Sequence, residues 1–209
     1  MSLSLSRRAI LLGGLTVLAG CGTQDAFNDP PEAVARAAYR HDGPTALTLY
    51  TMVNNKSNAG AHTSLMVSAS QRVIFDPAGS VRFKSVPERG DVLFGITPQV
   101  AKFYESAHAR ETFHVVIQHI DVPVATAERA LQLVLAKGSV PAAQCTLAIT
   151  SILSQLPGFQ QIGSTWFPQK LRGQMAQIPG VTTRRTFETD SDDKDSAVAQ
   201  LDAELAAIN

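Results

Sequence analysis

The stretch H-T-S-L-M-V-S-A-S-Q-R-V-I-F-D, residues 62–76, decides the fold. Two runs of strand formers, H-T-S-L-M-V (62–67) and R-V-I-F-D (72–76), flank a short small and polar turn. Such a pattern reads as a β-hairpin, which sets its strands antiparallel. A three-residue turn at 68–70 places His62 opposite Asp76. Directly paired residues share a face and lie within side-chain reach, and a one-residue slip would change the partner. Asp76 also precedes Pro77, where an aspartate suits turn initiation.

Outward from this hairpin the strands continue. A-L-T-L-Y-T-M-V (46–53) alternates like a strand and is joined to it by the loop N-N-K-S-N-A-G-A (54–61). P-A-G-S follows as a turn, and V-R-F-K-S (81–85) reads as a third hairpin strand. Upstream, P-E-A-V-A-R-A-A-Y-R (31–40) suits a short helix with Pro at its start. The second half is richer in helix. Helical spacing covers 96–108, 123–138, 141–158 and 168–180, while 111–122 reads as an interior strand and 181–187 as a final one. D-S-D-D-K-D-S (190–196) is a solvated charge run, followed by a loose helix. The class is α+β, an antiparallel sheet packed on helices.

The chain has 209 residues, with 18 basic and 18 acidic side chains. That length suits one compact domain with a full core. The neutral balance gives no basic footprint for nucleic acid. Arg7 and Arg8 precede an apolar run too short to span a membrane, and the run ends in Leu18-Ala19-Gly20-Cys21. This ending resembles the lipobox of bacterial lipoproteins. The resemblance implies cleavage before Cys21 and a diacylglycerol on its thiol. S-R-R-A-I-L also resembles a twin-arginine export signal, lacking its aromatic residue. The organisation expected is a signal peptide over 1–20, an anchor, tether and short helix over 21–45, a catalytic domain over 46–189 and a charged tail over 190–209. The protein would sit in the bacterial envelope, held to a membrane by lipid and facing the periplasm, with the outer membrane favoured over the inner.

With Cys21 acylated, Cys145 has no partner for a disulfide. Two readings of Cys145 stand side by side. It lies near the start of the 141–158 helix, where free backbone N–H groups and the helix dipole favour a thiolate. It also shares a helix face with Ile149, Ile152 and Leu156, as a small core residue would. A nucleophilic cysteine needs a base and a group to orient it. Of the five histidines, His41 reads as solvated and His108 as a charged surface residue near a helix end. His114 and His119 fall on opposite faces of one strand and suit structural roles. His62 opens a strand next to a glycine-containing loop, and Asp76 is placed to fix its tautomer. No H-E-x-x-H, paired-cysteine or glycine-rich nucleotide motif is present, so neither a metal nor a cofactor is expected.

The order His62, Asp76, Cys145 resembles the circularly permuted branch of the NlpC-type papain-like hydrolases and acyltransferases. The segments N-A-G-A-H-T-S-L-M-V, R-V-I-F-D-P-A-G-S and A-A-Q-C-T-L-A-I-T-S-I-L carry the resemblance, over roughly residues 46–160. It departs from many relatives in having Asp76 where they place His or a neutral polar group. The resemblance implies acyl transfer through a Cys145 thioester, with His62 as base and Asp76 orienting it. It implies an oxyanion site at the Cys145 N–H, for which Gln144 and Tyr50 are candidate second donors, although Gln144 equally suits a solvated helix position and Tyr50 a core strand position. Substrates of this class would be a peptidoglycan peptide, a protein amide or a lipid ester. The alternative is a non-catalytic lipoprotein that binds a ligand or partner on the same fold.

Overall fold

The structure is a computed structural model that describes residues 28–79 and 81–208. The expectations for the 1–20 segment and for Cys21 lie outside the described residues. Among the described residues no helix is long and apolar enough to cross a membrane.

The architecture is α+β, with seven antiparallel strands and six helices among the described residues. The strands are β1 (Ala46–Asn54), β2 (Gly60–Ser68), β3 (Arg72–Phe75), β4 (Glu88–Arg89), β5 (Val92–Leu93), β6 (Phe113–Asp121) and β7 (Thr182–Thr186). Their order across the sheet is β4-β5-β3-β2-β1-β6-β7. The helices are α1 (Pro31–Ala37), α2 (Pro98–His108), α3 (Val124–Lys137), α4 (Cys145–Leu153), α5 (Pro168–Met175) and α6 (Lys194–Ile208).

Strand alternation sorts the core into two layers. On one face Leu47, Leu49, Leu65 and Val67 pack with Ala130 and Val134 of α3, Ile149 and Ile152 of α4, and Leu171 of α5. On the other face Tyr50, Met52, Met66 and Ile117 pack with Val100 and Tyr104 of α2 and Val198 of α6. The sheet is therefore covered on both sides, and the residues from Ala46 to Val53 are all buried. Segment 190–208 joins this packing: Asp202 of α6 accepts from the N–H groups of Lys84 and Ser85 at 3.2 and 2.9 Å.

Three local expectations are corrected. V-R-F-K-S forms no strand; Val81 and Phe83 bury their side chains without joining a ladder. The hairpin strands there are β4 and β5, turning on Gly90 and Asp91. Both turn residues have positive φ, 59° and 61°, as the two-residue turn that matches strand twist requires. The helix expected from Pro141 starts at Cys145, because Pro141–Gln144 forms a turn with Ala143 at φ 63°. The same helix stops at Leu153, after which i→i+3 bonds from Gln155 and Leu156 tighten the chain ahead of Pro157.

Candidate active site

His62 and Asp76 meet, by a different register from the one expected. β2 pairs β3 as Ser68↔Arg72, Val67↔Val73, Met66↔Ile74 and Leu65↔Phe75. Continuing that ladder sets Asp76 against Ser64, two residues from His62. A shift of two keeps the face, since side chains alternate with period two, so the pair forms diagonally. His62 Nε2 donates to Asp76 Oδ1 at 2.6 Å. A bulge helps aim the ring. Met52 pairs His62 and Val53 pairs Gly60, leaving Ala61 as the extra residue just before His62. Bulges bend a strand and re-aim the neighbouring side chains.

Asp76 is fixed by the turn it begins. Pro77 precedes Ala78 at φ 57°, and the Gly79 N–H returns to the Asp76 carbonyl at 3.0 Å. This is the type II pattern, with Pro at its second position and positive φ at its third. A Cβ on Gly79 would stand 2.3 Å from Asp76 Oδ2, so only glycine leaves the carboxylate its place. Buried Asp91 braces the same region. Its Oδ2 accepts from Ala78 N–H at 3.1 Å and from Val140 N–H at 2.8 Å. One carboxylate thus ties the Asp76 turn to the segment that leads into α4.

The thiol reaches His62 through a gap in the sheet. His62 shares the α2 face of β2 with Ser64 and Met66, whereas α4 packs on the opposite face. β3 pairs with β2 only up to Leu65, so Gly60–Ser64 has no β3 partner. The start of α4 meets β2 there: Thr63 Oγ1 lies 3.4 Å from Thr146 Oγ1, and the Thr63 backbone stands near enough to the Cys145 sulfur to favour its thiolate. Cys145 is the first residue of α4, where backbone N–H groups lack partners within the helix. Asp76 occupies His62 Nε2, which leaves Nδ1 as the nitrogen that can face the Cys145 thiol.

The electrostatics favour an ion pair. Burial pushes the Cys145 thiol up, but the His62 hydrogen bond and charge, with the Thr63 N–H, outweigh it and bring the thiol to about 7. Burial pulls His62 down, yet the Asp76 carboxylate and the Cys145 sulfur raise it to about 10. Asp76 is held below its ordinary range. Burial opposes this, and the His62 charge and hydrogen bond, then His108 and Tyr104, win. At neutral pH the arrangement is an imidazolium between a carboxylate and a substantially ionised thiol.

Two neighbours were not singled out from the sequence. His108, expected at the surface, is buried at the end of α2 and stacks on His62 with ring centroids 6.5 Å apart. It sits one helical turn from Tyr104, with Nδ1 2.8 Å from the Tyr104 carbonyl. The Tyr104 hydroxyl donates to Ser64 Oγ at 2.7 Å and lies within hydrogen-bonding reach of Asp76. The i, i+4 spacing of Tyr104 and His108 on an apolar helix face was the available signal. A cleft of about 170 Å³ opens at His62, walled by Met52, Ala61, His108, Arg110, Phe113 and Asp192.

The remaining candidates are placed elsewhere or only near the thiol. Tyr50 takes its core reading: it is fully buried, its hydroxyl donates to Met66 Sδ at 3.6 Å, and burial raises its pKa. Gln144 precedes Cys145, half-buried, and its side chain caps no helix N–H. His114 bonds Asn55 Oδ1 at 2.7 Å, and His119 bonds Thr48 and Asp121 at 2.9 and 3.1 Å. His41 lies 3.5 Å from the Tyr39 hydroxyl. Among the described residues no three His, Cys, Asp or Glu side chains group as metal ligands.

Such a constellation defines a cysteine–histidine–carboxylate site on an α+β scaffold. Compared with protein-family models, curated proteins and solved structures, the chain matches none.

Proposed function

We propose that the protein is an envelope lipoprotein that hydrolyses or transfers an acyl group through a thioester on Cys145. One observation carries this reading: His62 bonds buried Asp76 at 2.6 Å and stands close enough to Cys145, the first residue of a helix, for the two to shift each other's pKa. The Cys145 thiolate attacks a carbonyl. His62, as imidazolium, gives its proton to the leaving group. It then takes a proton from water or an acceptor alcohol or amine, which attacks the thioester and frees the thiolate. Asp76 holds the ring and stabilises its positive form throughout. The oxyanion accepts from the Cys145 N–H, with Gln144 as the adjacent side-chain donor. A permuted papain-like fold agrees with the chain order of strand, neighbouring strand and later helix. The L-A-G-C ending supports lipid on Cys21 and an envelope location.

One observation favours the second reading, a ligand- or partner-binding lipoprotein on the same scaffold. Cys145 is only 6% exposed, and the cleft is lined by the His62 ring and not by the sulfur. A p-nitrophenyl ester separates the two. An acylating enzyme gives a burst of nitrophenol and an acyl adduct on Cys145 that hydroxylamine removes. Cys145→Ser and His62→Ala should each suppress the burst by about a hundredfold or more, the scale of a lost general acid–base. A native protein that forms no adduct has the binding function.

A further inference from the structure

A cavity of about 820 Å³ is lined by none of Cys145, His62 and Asp76. It lies on the α2 side of the sheet, and its volume is that of small-molecule sites, roughly 300–1,000 Å³. Met66 and Ile117 of the sheet and Phe103 of α2 supply apolar wall. Arg72 of β3 lines it too, and its surroundings are unusual for a guanidinium. Nε donates to the thioether of Met66 at 3.2 Å, a weak acceptor. Nη1 is buried and has no hydrogen-bond partner. No described carboxylate is ion-paired with it. Glu105, in the same cavity, already bonds Arg184 at 2.6 Å, and Glu188 and Glu204 complete the acidic lining without reaching Arg72. His41 stands close enough that burial and the Arg72 charge hold its pKa below the ordinary value.

Arginine stays charged at all relevant pH, and a buried donor left unbonded costs more when it is charged. A guanidinium that lines a cavity, has one nitrogen unbonded and has no carboxylate partner among the described residues suits a carboxylate ligand. We propose that this cavity binds a small organic carboxylate, its anionic group on Arg72 and its hydrocarbon part along Met66, Ile117 and Phe103. The site is separate from the cysteine site and does not depend on the proposed acyl transfer.

Calorimetric titration of the full chain with octanoate, 1-octanol and inorganic phosphate tests it. Octanoate should bind one to one and raise the Tm, with octanol and phosphate each at least tenfold weaker. Arg72→Met should weaken octanoate about tenfold or more, the scale of a lost charged hydrogen bond. Arg72→Lys keeps the charge without the fork; it should still weaken binding severalfold, and it serves if the methionine variant does not fold. Cys145→Ala should bind octanoate as the native chain does. The proposal is overturned by octanol binding equal to octanoate, by phosphate preferred over octanoate, or by undiminished octanoate binding in either Arg72 variant. Loss of binding in Cys145→Ala would overturn it as well, moving the ligand to the cysteine site.

Discussion

At Cys145 burial opposes ionisation, while His62 and the Thr63 N–H favour it and prevail. The expected consequence is kinetic. Iodoacetamide should alkylate the folded protein with a half-maximal rate near pH 7, against ~8.5 for a free thiol. In His62→Ala the profile should move up to or beyond the free-thiol value, because burial then acts without its main opponent. A native Cys145 that reacts only after unfolding would refute the activated thiol. If acyl transfer uses the ion pair, its rate should rise through about 7 and fall again near 10, where His62 loses its proton. Gly79 gives a second test. Gly79→Ala inserts a methyl 2.3 Å from Asp76 Oδ2, so the carboxylate must shift. Its His62 proton resonance should then titrate well below the native value of about 10, as followed by NMR. An unchanged His62 titration would show that Asp76 does not depend on that glycine.

Elements, more than single side chains, bring the three groups together. β3 leaves the sheet early, β2 carries a bulge at Ala61, and the start of α4 meets β2 at Thr63. Asp91 holds two of these pieces, accepting from Ala78 and Val140. Asp91→Ala leaves both N–H groups without their acceptor and puts alanine at φ 61°. The expected loss is roughly 2–4 kcal/mol by urea unfolding, with Asp91→Asn milder because one acceptor oxygen remains. α2 offers a contrast. Thr97 caps it by accepting from the Val100 N–H, and the helix carries Tyr104 and His108. Thr97→Ala should cost about 1 kcal/mol while leaving the Cys145 alkylation profile in place. A shifted profile would mean that α2 tunes the thiol directly.

For the whole molecule, the site couples stability to pH. His62 is raised from 6.5 to about 10 on folding, so its contribution is complete below 6.5 and fades as pH rises through 10. Cys145 is lowered from 9.0 to about 7, so its contribution is complete above 9 and fades as pH falls through 7. Between about 7 and 9 the two slopes oppose each other. Native stability should be nearly flat there and decline above 9, while Cys145→Ala should decline steadily from about 6.5 upward. Matching pH profiles for the two proteins would refute the coupling. Asp76, held below its ordinary 3.8, adds stability that is lost in acid as pH falls through its folded value. The proposed anchor is tested at the same scale: Cys21→Ala should move the protein from the membrane fraction to the soluble one in its native host.

The sequence by itself determined what local pattern can determine. Alternation in 46–53 and 62–67 and the dense run at 111–122 marked β1, β2 and β6 as strands, and the hairpin pattern made the sheet antiparallel. Parity along β2 and β3 kept His62 and Asp76 on one face even though the register differed by two. The inward face of α4 was equally readable, and Ile149, Ile152 and Leu156 lie in the core. Tertiary structure decided what depends on distant segments. Asp76-Pro77 marks where β3 ends, but nothing local says which distant segment meets β2 beyond it, so the approach of Cys145 to His62 could not be read. His108 looked exposed because it is polar and near a helix end, but it is buried by packing against Tyr104 and His62. Tyr50, a plausible donor by position, was absorbed into the core because the sheet is covered on both faces. Local chemistry sets which way a side chain points, whereas the ångström-scale meeting of three elements far apart in sequence exists only once the chain has folded.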